Sequence, residues 1–71
     1  MGNAREVRVG DHVRDNDPRS DYRTRVVVAI SSEGRAQLRH PRITEIPSTW
    51  VRLDRIYTDG KPRRTGWSVV P

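Results

Sequence analysis

Apolar and polar residues alternate with a period of two through the middle of the chain, between Tyr22 and His40. In the first part Arg23 and Arg25 alternate with Tyr22, Thr24 and Val26, and Val27 and Ala29 continue the parity of the two arginines up to Ile30. The pattern is interrupted by the sequence Ser-Ser-Glu-Gly and resumes at Arg35. β-Branched residues with this period predict strands, because successive side chains of a strand leave opposite faces of the sheet. Gly34 supplies the positive φ that closes a short hairpin loop. The stretch therefore predicts a hairpin around which the rest of the chain folds.

The two faces of the predicted hairpin differ in character. One parity is apolar and combines five residues of the first strand with two of the second: Tyr22, Thr24, Val26, Val28, Ile30, Ala36 and Leu38. The other parity carries four arginines: Arg23, Arg25, Arg35 and Arg39. We expect the remaining chain to close over the apolar face and the four arginines to share the outer face.

The segment before the hairpin predicts one more strand. Residues 7–14 contain regularly placed valines, and a bend or bulge is expected at Gly10. The inward residues of this strand are predicted to be Val7, Val9 and Val13.

The polar loop that follows contains an Asp-Asn-Asp cluster, which raises the question of a calcium site. Counted from Asp15, an EF-hand loop needs glycine at its sixth position and glutamate at its twelfth. This chain has Ser20 and Val26 there. We therefore predict no metal site, and instead an Asx turn whose carboxylates cap backbone amides or pair with neighbouring arginines.

The second half of the chain predicts two further strands, at residues 48–53 and 65–70, because both alternate again. Residues 54–56 between them predict one short 3₁₀ turn, with Ile56 closing the end of a barrel. Trp67 is expected to lie in the core.

Five short strands, a long first loop, a tight central hairpin and a single helical turn resemble an SH3-like barrel. The fold class predicted is thus all-β, a small five-stranded SH3-like barrel with one 3₁₀ turn before the last strand. Seventy-one residues without cysteine also favour a closed sheet, because closure builds a core and removes exposed edges. We expect a single domain over residues 1–71, with residues 1–6 frayed.

Two family resemblances accompany this prediction. Residues 9–14, Val-Gly-Asp-His-Val-Arg, followed by valines at 26–28, resemble the opening of KOW- and Tudor-type barrels, although the glycines of KOW motifs are missing. Residues 14–19, Arg-Asp-Asn-Asp-Pro-Arg, and residues 65–70, Thr-Gly-Trp-Ser-Val-Val, resemble a group of small uncharacterised proteins of bacteriophages and some bacteria. The second resemblance implies the fold and a phage origin, and it carries no activity with it.

The charge of the chain favours an anionic partner. Thirteen of the 14 basic residues are arginines, and the net charge is +5. Residues 1–33 carry six basic and six acidic residues, whereas residues 34–71 carry eight and three, which accounts for the whole excess. Arginine offers phosphates a planar fork and stacks on rings. The alternative is a general preference for arginine combined with ordinary surface solvation.

Catalysis is not indicated. There is no cysteine nucleophile, neither His12 nor His40 lies in a nucleophile motif, and no glycine-rich phosphate loop opens a helix. We predict no enzyme, no catalytic residues and no cofactor.

We instead predict a nucleic-acid-binding surface with low sequence specificity, for DNA or RNA, in which aromatic rings stack bases and arginines hold the backbone. The predicted binding residues are Arg23, Arg25, Arg35, Arg39, Trp50, Arg52, Tyr57, Lys61, Arg63 and Arg64. Trp50 could instead cover a barrel end, and Tyr57 could pack against the last strand.

Two other functions stay open at this point. One is a phage-encoded module that docks on an acidic surface of a host protein, or adds a strand to a partner's sheet, and so inhibits or modulates that protein. The other is a small virion or assembly component. No apolar run is long enough to span a bilayer, so we expect no membrane partner and a location in the bacterial cytoplasm or the infected host cell. The sequence makes no prediction of oligomeric state.

Overall fold

The computed structural model describes residues 5–71, and it shows an all-β protein whose sheet curves into a nearly closed barrel. The strands are β1 (His12–Asp15), β2 (Thr24–Ile30), β3 (Arg35–Arg39), β4 (Thr49–Arg52), β5 (Ile56–Tyr57) and β6 (Trp67–Val69). The strand order is β4-β3-β2-β1-β6-β5, and every neighbouring pair is antiparallel except β5 and β6. The predicted all-β barrel is confirmed.

The sheet has six strands rather than the predicted five. A 3₁₀ turn at Leu53–Arg55 follows β4 directly, one residue earlier than predicted, and β5 follows the turn. The two residues of β5 pair in parallel with β6, with Ile56 opposite Trp67 and Tyr57 opposite Ser68. A strand of two residues has no periodicity of its own, so the sequence pattern did not reveal it.

The first strand begins later than predicted, at His12. Upstream of it the chain turns, with the Asp11 N–H donating to the Arg8 carbonyl at 3.0 Å. The turn interrupts the alternation of the valines, and Val9 is 62 % exposed, so its predicted inward position is wrong. Val13 is fully buried and Val7 packs against the core, as predicted.

Only part of the predicted frayed start is described. Residues 1–4 lie outside the described residues. The two terminal nitrogens of the Arg5 guanidinium each donate a hydrogen bond to one carboxylate oxygen of Asp11, at 2.9 Å. The hydrogen bond from Arg5 is the main cause that lowers the pKa of the Asp11 carboxyl, and the backbone N–H of Arg8 contributes.

The core is small, and its buried members come from β1, β2, β3 and β5. Its buried members are Val13, Val27, Ala36, Leu38 and Ile56. The partly buried residues that pack against them are Val7, Val51, Leu53, Trp67 and Val69. The burial of Ile56 just after the 3₁₀ turn and the packing of Trp67 against the core agree with the predictions.

A β-bulge at Val28 changes which side chains of β2 face the core. Val27 lies opposite Leu38, and Ala29 lies opposite the adjacent Gln37, which leaves Val28 without a partner. Val27 is therefore the buried residue, at 1 % exposure, whereas Val28 is 36 % exposed.

The predicted apolar face of the first hairpin strand is therefore wrong. Before the bulge the odd-numbered residues face inward, and Tyr22 and Thr24 are exposed. Beyond the bulge Ile30 lies opposite the buried Ala36. Because directly opposed residues of an antiparallel pair share a face, Ile30 lies on the core side, as predicted. In the second hairpin strand the predicted face is right, since Ala36 and Leu38 are both fully buried.

The acidic loop after β1 forms the predicted Asx turns. The Asp15 carboxylate accepts the Asp17 N–H at 3.0 Å, and the Asp17 carboxylate accepts the Arg19 N–H at 2.9 Å. Asp17 also pairs with the Arg19 guanidinium, which lowers the pKa of the Asp17 carboxyl. Within residues 5–71, no His, Cys, Asp and Glu side chains gather as they would around a metal ion. In the same residues no helix is long and apolar enough to cross a membrane.

Candidate nucleic-acid interface

The first candidate surface lies on the outside of β3 and β4 and includes an exposed tryptophan. It consists of the residues whose parity is opposite to that of the buried Ala36 and Leu38. On β3 these are Arg35, Gln37 and Arg39; on β4 they are the residues paired with two of them, Arg52 and Trp50, and all five are called here the outer β3–β4 face. Trp50 lies directly opposite Gln37 and is 48 % exposed.

Like charges meet on this face, because Arg35 lies directly opposite Arg52. Cross-strand pairs of like charge are destabilising unless something compensates them. Arg52 has an exposed partner, the Asp54 carboxylate at 2.9 Å, and exposed ion pairs contribute little. Glu33, in the hairpin loop, lines the same shallow depression as Arg35 and Trp50. An anion lying across the two arginines would remove the repulsion that these carboxylates only partly offset.

Arg39 lies at the other end of the same face and lacks this compensation. It is opposite Val26 on β2, is exposed, and has no ion pair within the part of the chain that the structure describes. Beside Trp50, the Gln37 amide donates to the Ser48 hydroxyl at 3.0 Å. The outer β3–β4 face therefore combines an open ring, one unpaired cation and two cations that repel each other.

The other two arginines predicted for this face lie elsewhere. Arg25 is opposite the buried Val13, its guanidinium carbon is 5.9 Å from the centroid of the Trp67 ring, and it donates to the Thr24 carbonyl at 2.9 Å. Arg23 donates from Nε to the Asp15 carbonyl at 3.1 Å. The prediction that four arginines share one face is wrong, because Arg25 shares the face of the buried Val13 and Arg23, which precedes β2, contributes to a different surface.

The second candidate surface is a groove of about 570 Å³ between the loop after β5 and the outside of β1 and β6. Four basic residues line it, and we call it the basic groove: Arg14, Arg23, Lys61 and Arg63. No acidic side chain is among its lining residues. The sequence analysis did not predict Arg14 as a binding residue, because nothing distinguishes it from any other polar residue of the first strand. It predicted Arg23 on the outer face of the hairpin instead.

Tyr57 is packed rather than open. The Arg63 guanidinium carbon lies 3.8 Å from the centroid of its ring, and the ring edge lies against Gly66. Arg63 also donates to the Asp59 carboxylate at 2.7 Å. A base could stack on Tyr57 only after Arg63 moved away, so the structure favours the packing interpretation of this residue. Arg64, also predicted to bind nucleic acid, is exposed, but the structure brings it into neither the basic groove nor the outer β3–β4 face.

Asp59 shapes the loop that carries the cations of the basic groove. Its carboxylate accepts the backbone N–H of Lys61 at 3.0 Å as well as the Arg63 guanidinium. The hydrogen bond from the Lys61 backbone is the main cause that lowers the pKa of Asp59, and Arg63 adds to it. The carboxylate is therefore ionised at neutral pH, where it pairs with Arg63 and also attracts the Lys61 ammonium group.

The two histidines occupy different positions, one in a turn and one on β1. The Nδ1 of His40 accepts hydrogen bonds from the backbone N–H groups of Arg42 and Ile43, at 3.1 and 2.9 Å, and so caps the turn that follows β3. His12 is exposed on β1. In residues 5–71 neither histidine is hydrogen-bonded to a serine or a carboxylate.

Comparison of the chain with protein-family models found no match, and comparisons with curated proteins and with solved structures found no significant similarity. The resemblances to phage proteins and to KOW- and Tudor-type barrels therefore stay predictions. The class that the structure defines is a small all-β barrel with two cationic surfaces. Because one fold carries many functions, the function has to be argued from these surfaces.

Proposed function

We propose that this protein is a non-enzymatic module that binds nucleic acid with little sequence specificity, and that it prefers single strands. The observation that carries the proposal is the exposed Trp50 ring among the arginines of the outer β3–β4 face. An open aromatic ring beside cations is the arrangement that single-strand platforms use.

The two kinds of side chain have separate roles in this proposal. A base stacks on Trp50, and stacking is worth about 1–3 kcal/mol per base for any base. Arg39 binds a backbone phosphate, and a second phosphate lies between Arg35 and Arg52, where it relieves their repulsion. None of these contacts reads a base edge, so the affinity should depend little on sequence.

The test is a fluorescence titration of the protein with single-stranded and duplex oligonucleotides at low and moderate salt. We expect quenching by the single strand that weakens as salt rises, because phosphate binding releases counterions. In Trp50→Ala, whose remaining Trp67 reports on folding, affinity measured by anisotropy of a labelled strand should fall by about fivefold to 100-fold, the equivalent of one stacked base.

A matched pair of charge variants isolates the phosphate contact. Arg39→Gln should lower the slope of log affinity against log salt by about 0.7, the value for one phosphate of a single strand. Arg64→Gln removes an exposed arginine that belongs to neither surface and should leave the slope nearly unchanged. No response to any oligonucleotide at low salt would rule out this function.

A second candidate is the protein-interaction module, encoded by a phage and acting on a host protein. It is favoured by the carboxylates of Glu33 and Asp54 beside Arg35 and Arg52, because a mixed-charge surface suits a protein better than a polyanion. β4 is also an edge strand of the sheet, so a strand of a partner protein could pair with it. Salt-insensitive capture of one host protein, lost in Trp50→Ala and without any response to oligonucleotides, would favour this candidate. A cytoplasmic location accompanies either proposal.

A further inference from the structure

The basic groove brings together cations from three separate parts of the chain. Arg14 belongs to β1, Arg23 precedes β2, and Lys61 and Arg63 lie in the loop after β5. Carboxylates outside the lining compensate part of this charge, since Asp59 pairs with Arg63 and attracts Lys61, and Asp17 attracts Arg23. The lining itself still carries four cations and no acidic side chain. Such a concentration of like charge on a small domain is unfavourable unless an anion neutralises it.

The fold holds the Arg23 guanidinium and the backbone that carries Lys61. Arg23 is half-buried and is fixed by its hydrogen bond to the Asp15 carbonyl, which leaves its two terminal nitrogens for a ligand. Lys61 is positioned by the hydrogen bond from its backbone to Asp59. A site whose cations are already positioned loses less conformational entropy when the ligand binds.

Beneath the cations the groove has a fixed polar floor. The buried Asn16 side chain donates to the Thr65 carbonyl at 3.0 Å and accepts the Ser68 hydroxyl at 3.0 Å. This network ties β1 to β6, so the spacing between Arg14 and the loop that carries Lys61 is set by the core of the sheet.

The groove also has an apolar wall, formed by Pro62, Val70 and Pro71. Inorganic phosphate has no apolar surface that could pack against these side chains. The volume of about 570 Å³ lies inside the usual range for small-molecule sites, about 300–1,000 Å³. The shape therefore suits an anionic group that is attached to a larger, partly apolar body.

We propose that the basic groove binds the phosphate of a nucleotide, with the sugar against the apolar wall, either as a free nucleoside monophosphate or as the terminal phosphate of a strand. A terminal phosphate carries about −1.5 to −2 charges at neutral pH and matches a groove lined by four cations and no acidic side chain better than an internal phosphodiester does. The proposal shares only the class of ligand with the function proposed above, and it uses none of the residues of the outer β3–β4 face.

The test follows backbone amide NMR signals while the protein is titrated with adenosine monophosphate, and separately with inorganic phosphate at the same ionic strength. We expect saturable shifts at Gly60, Ser68 and Val69, with adenosine monophosphate binding more tightly than inorganic phosphate. Arg14→Gln and Lys61→Gln should each weaken binding by about threefold to tenfold, the range between an exposed ion pair and a charged hydrogen bond. Arg64→Gln, in the same loop but outside the groove, is the control and should change binding by less than about twofold.

A second experiment distinguishes a free nucleotide from the end of a strand as the source of the phosphate. It compares the binding of oligonucleotides with and without a terminal phosphate. Tighter binding of the phosphorylated strand, lost in Arg14→Gln, assigns the site to strand ends. Equal binding of the two strands, with adenosine monophosphate still bound, assigns it to free nucleotides.

Three results would overturn the proposal. They are unmoved groove amides at millimolar adenosine monophosphate, equal affinity for inorganic phosphate, and an Arg64→Gln effect as large as that of Arg14→Gln. Trp50→Ala should leave the titration unchanged. Loss of strand binding in that variant therefore tests the outer β3–β4 face separately.

Discussion

Replacing Gly66 by alanine should destabilise the protein more than any other glycine replacement in the described chain. Gly66 has a φ of +73°, which is in the left-handed region, and it precedes β6 directly. A Cβ atom at this position would lie 2.7 Å from the carbonyl oxygen of Arg55 and 2.7 Å from the Tyr57 ring. The carbonyl belongs to the backbone of the 3₁₀ turn, so it cannot rotate away as a flexible side chain could.

The magnitude follows from two separate costs. A non-glycine residue in the left-handed region costs about 1–2 kcal/mol. Overpacking against fixed neighbours costs about 1–3 kcal/mol more. The sum of about 2–5 kcal/mol is a large part of the stability of a domain of this length, about 4–10 kcal/mol at 0.05–0.15 kcal/mol per residue.

Gly60→Ala is the matched control for this variant. Gly60 has the same φ of +73°, but its Cβ would meet no atom within 4 Å. It should therefore show the backbone cost alone, about 1–2 kcal/mol. Urea unfolding followed by tryptophan fluorescence gives the free energy of unfolding of both variants, and far-UV circular dichroism shows whether Gly66→Ala is folded at all. Equal destabilisation in the two variants would refute the argument from close packing of Gly66 against Tyr57 and Arg55.

Two further predictions concern the bulge and the N-terminal segment. Val27→Ala should lower the free energy of unfolding by about 2 kcal/mol or more, because it removes two buried methyl groups and leaves a cavity. Val28→Ala should lower it by less than about 1 kcal/mol, because Val28 is partly exposed. Equal losses in urea unfolding would contradict the assigned bulge. Since the pKa of Asp11 is lowered in the folded protein, the stability from this group is present above its ordinary value of 3.8 and is lost as pH falls through the lower folded value. Arg5→Gln should move the Asp11 titration midpoint, read from its carboxyl NMR signal, up toward 3.8, and an unmoved midpoint would show that the Arg5 contact does not form.

The local patterns of the sequence determined much of the fold. Alternation located the central hairpin and the buried positions of its second strand, Ala36 and Leu38. The Asp-Asn-Asp cluster predicted its Asx turns because those hydrogen bonds join residues only two positions apart. Ile56 and Trp67 were predicted correctly as packed residues. Each is a large apolar side chain next to a turn or in a strand, and burying such a side chain is favourable.

The tertiary structure decided which surfaces exist. The face that β2 presents to the core depends on the bulge at Val28, which is fixed by pairing with β3 and leaves no mark on the period of β2 itself. Packing against Gly66 and Arg63 determines that Tyr57 is covered. The basic groove unites Arg14 and Arg23 with Lys61, which is far along the chain, because β1 lies between β2 and β6 in the sheet. Sequence patterns report only neighbours along the chain, whereas a binding surface is made of neighbours in space.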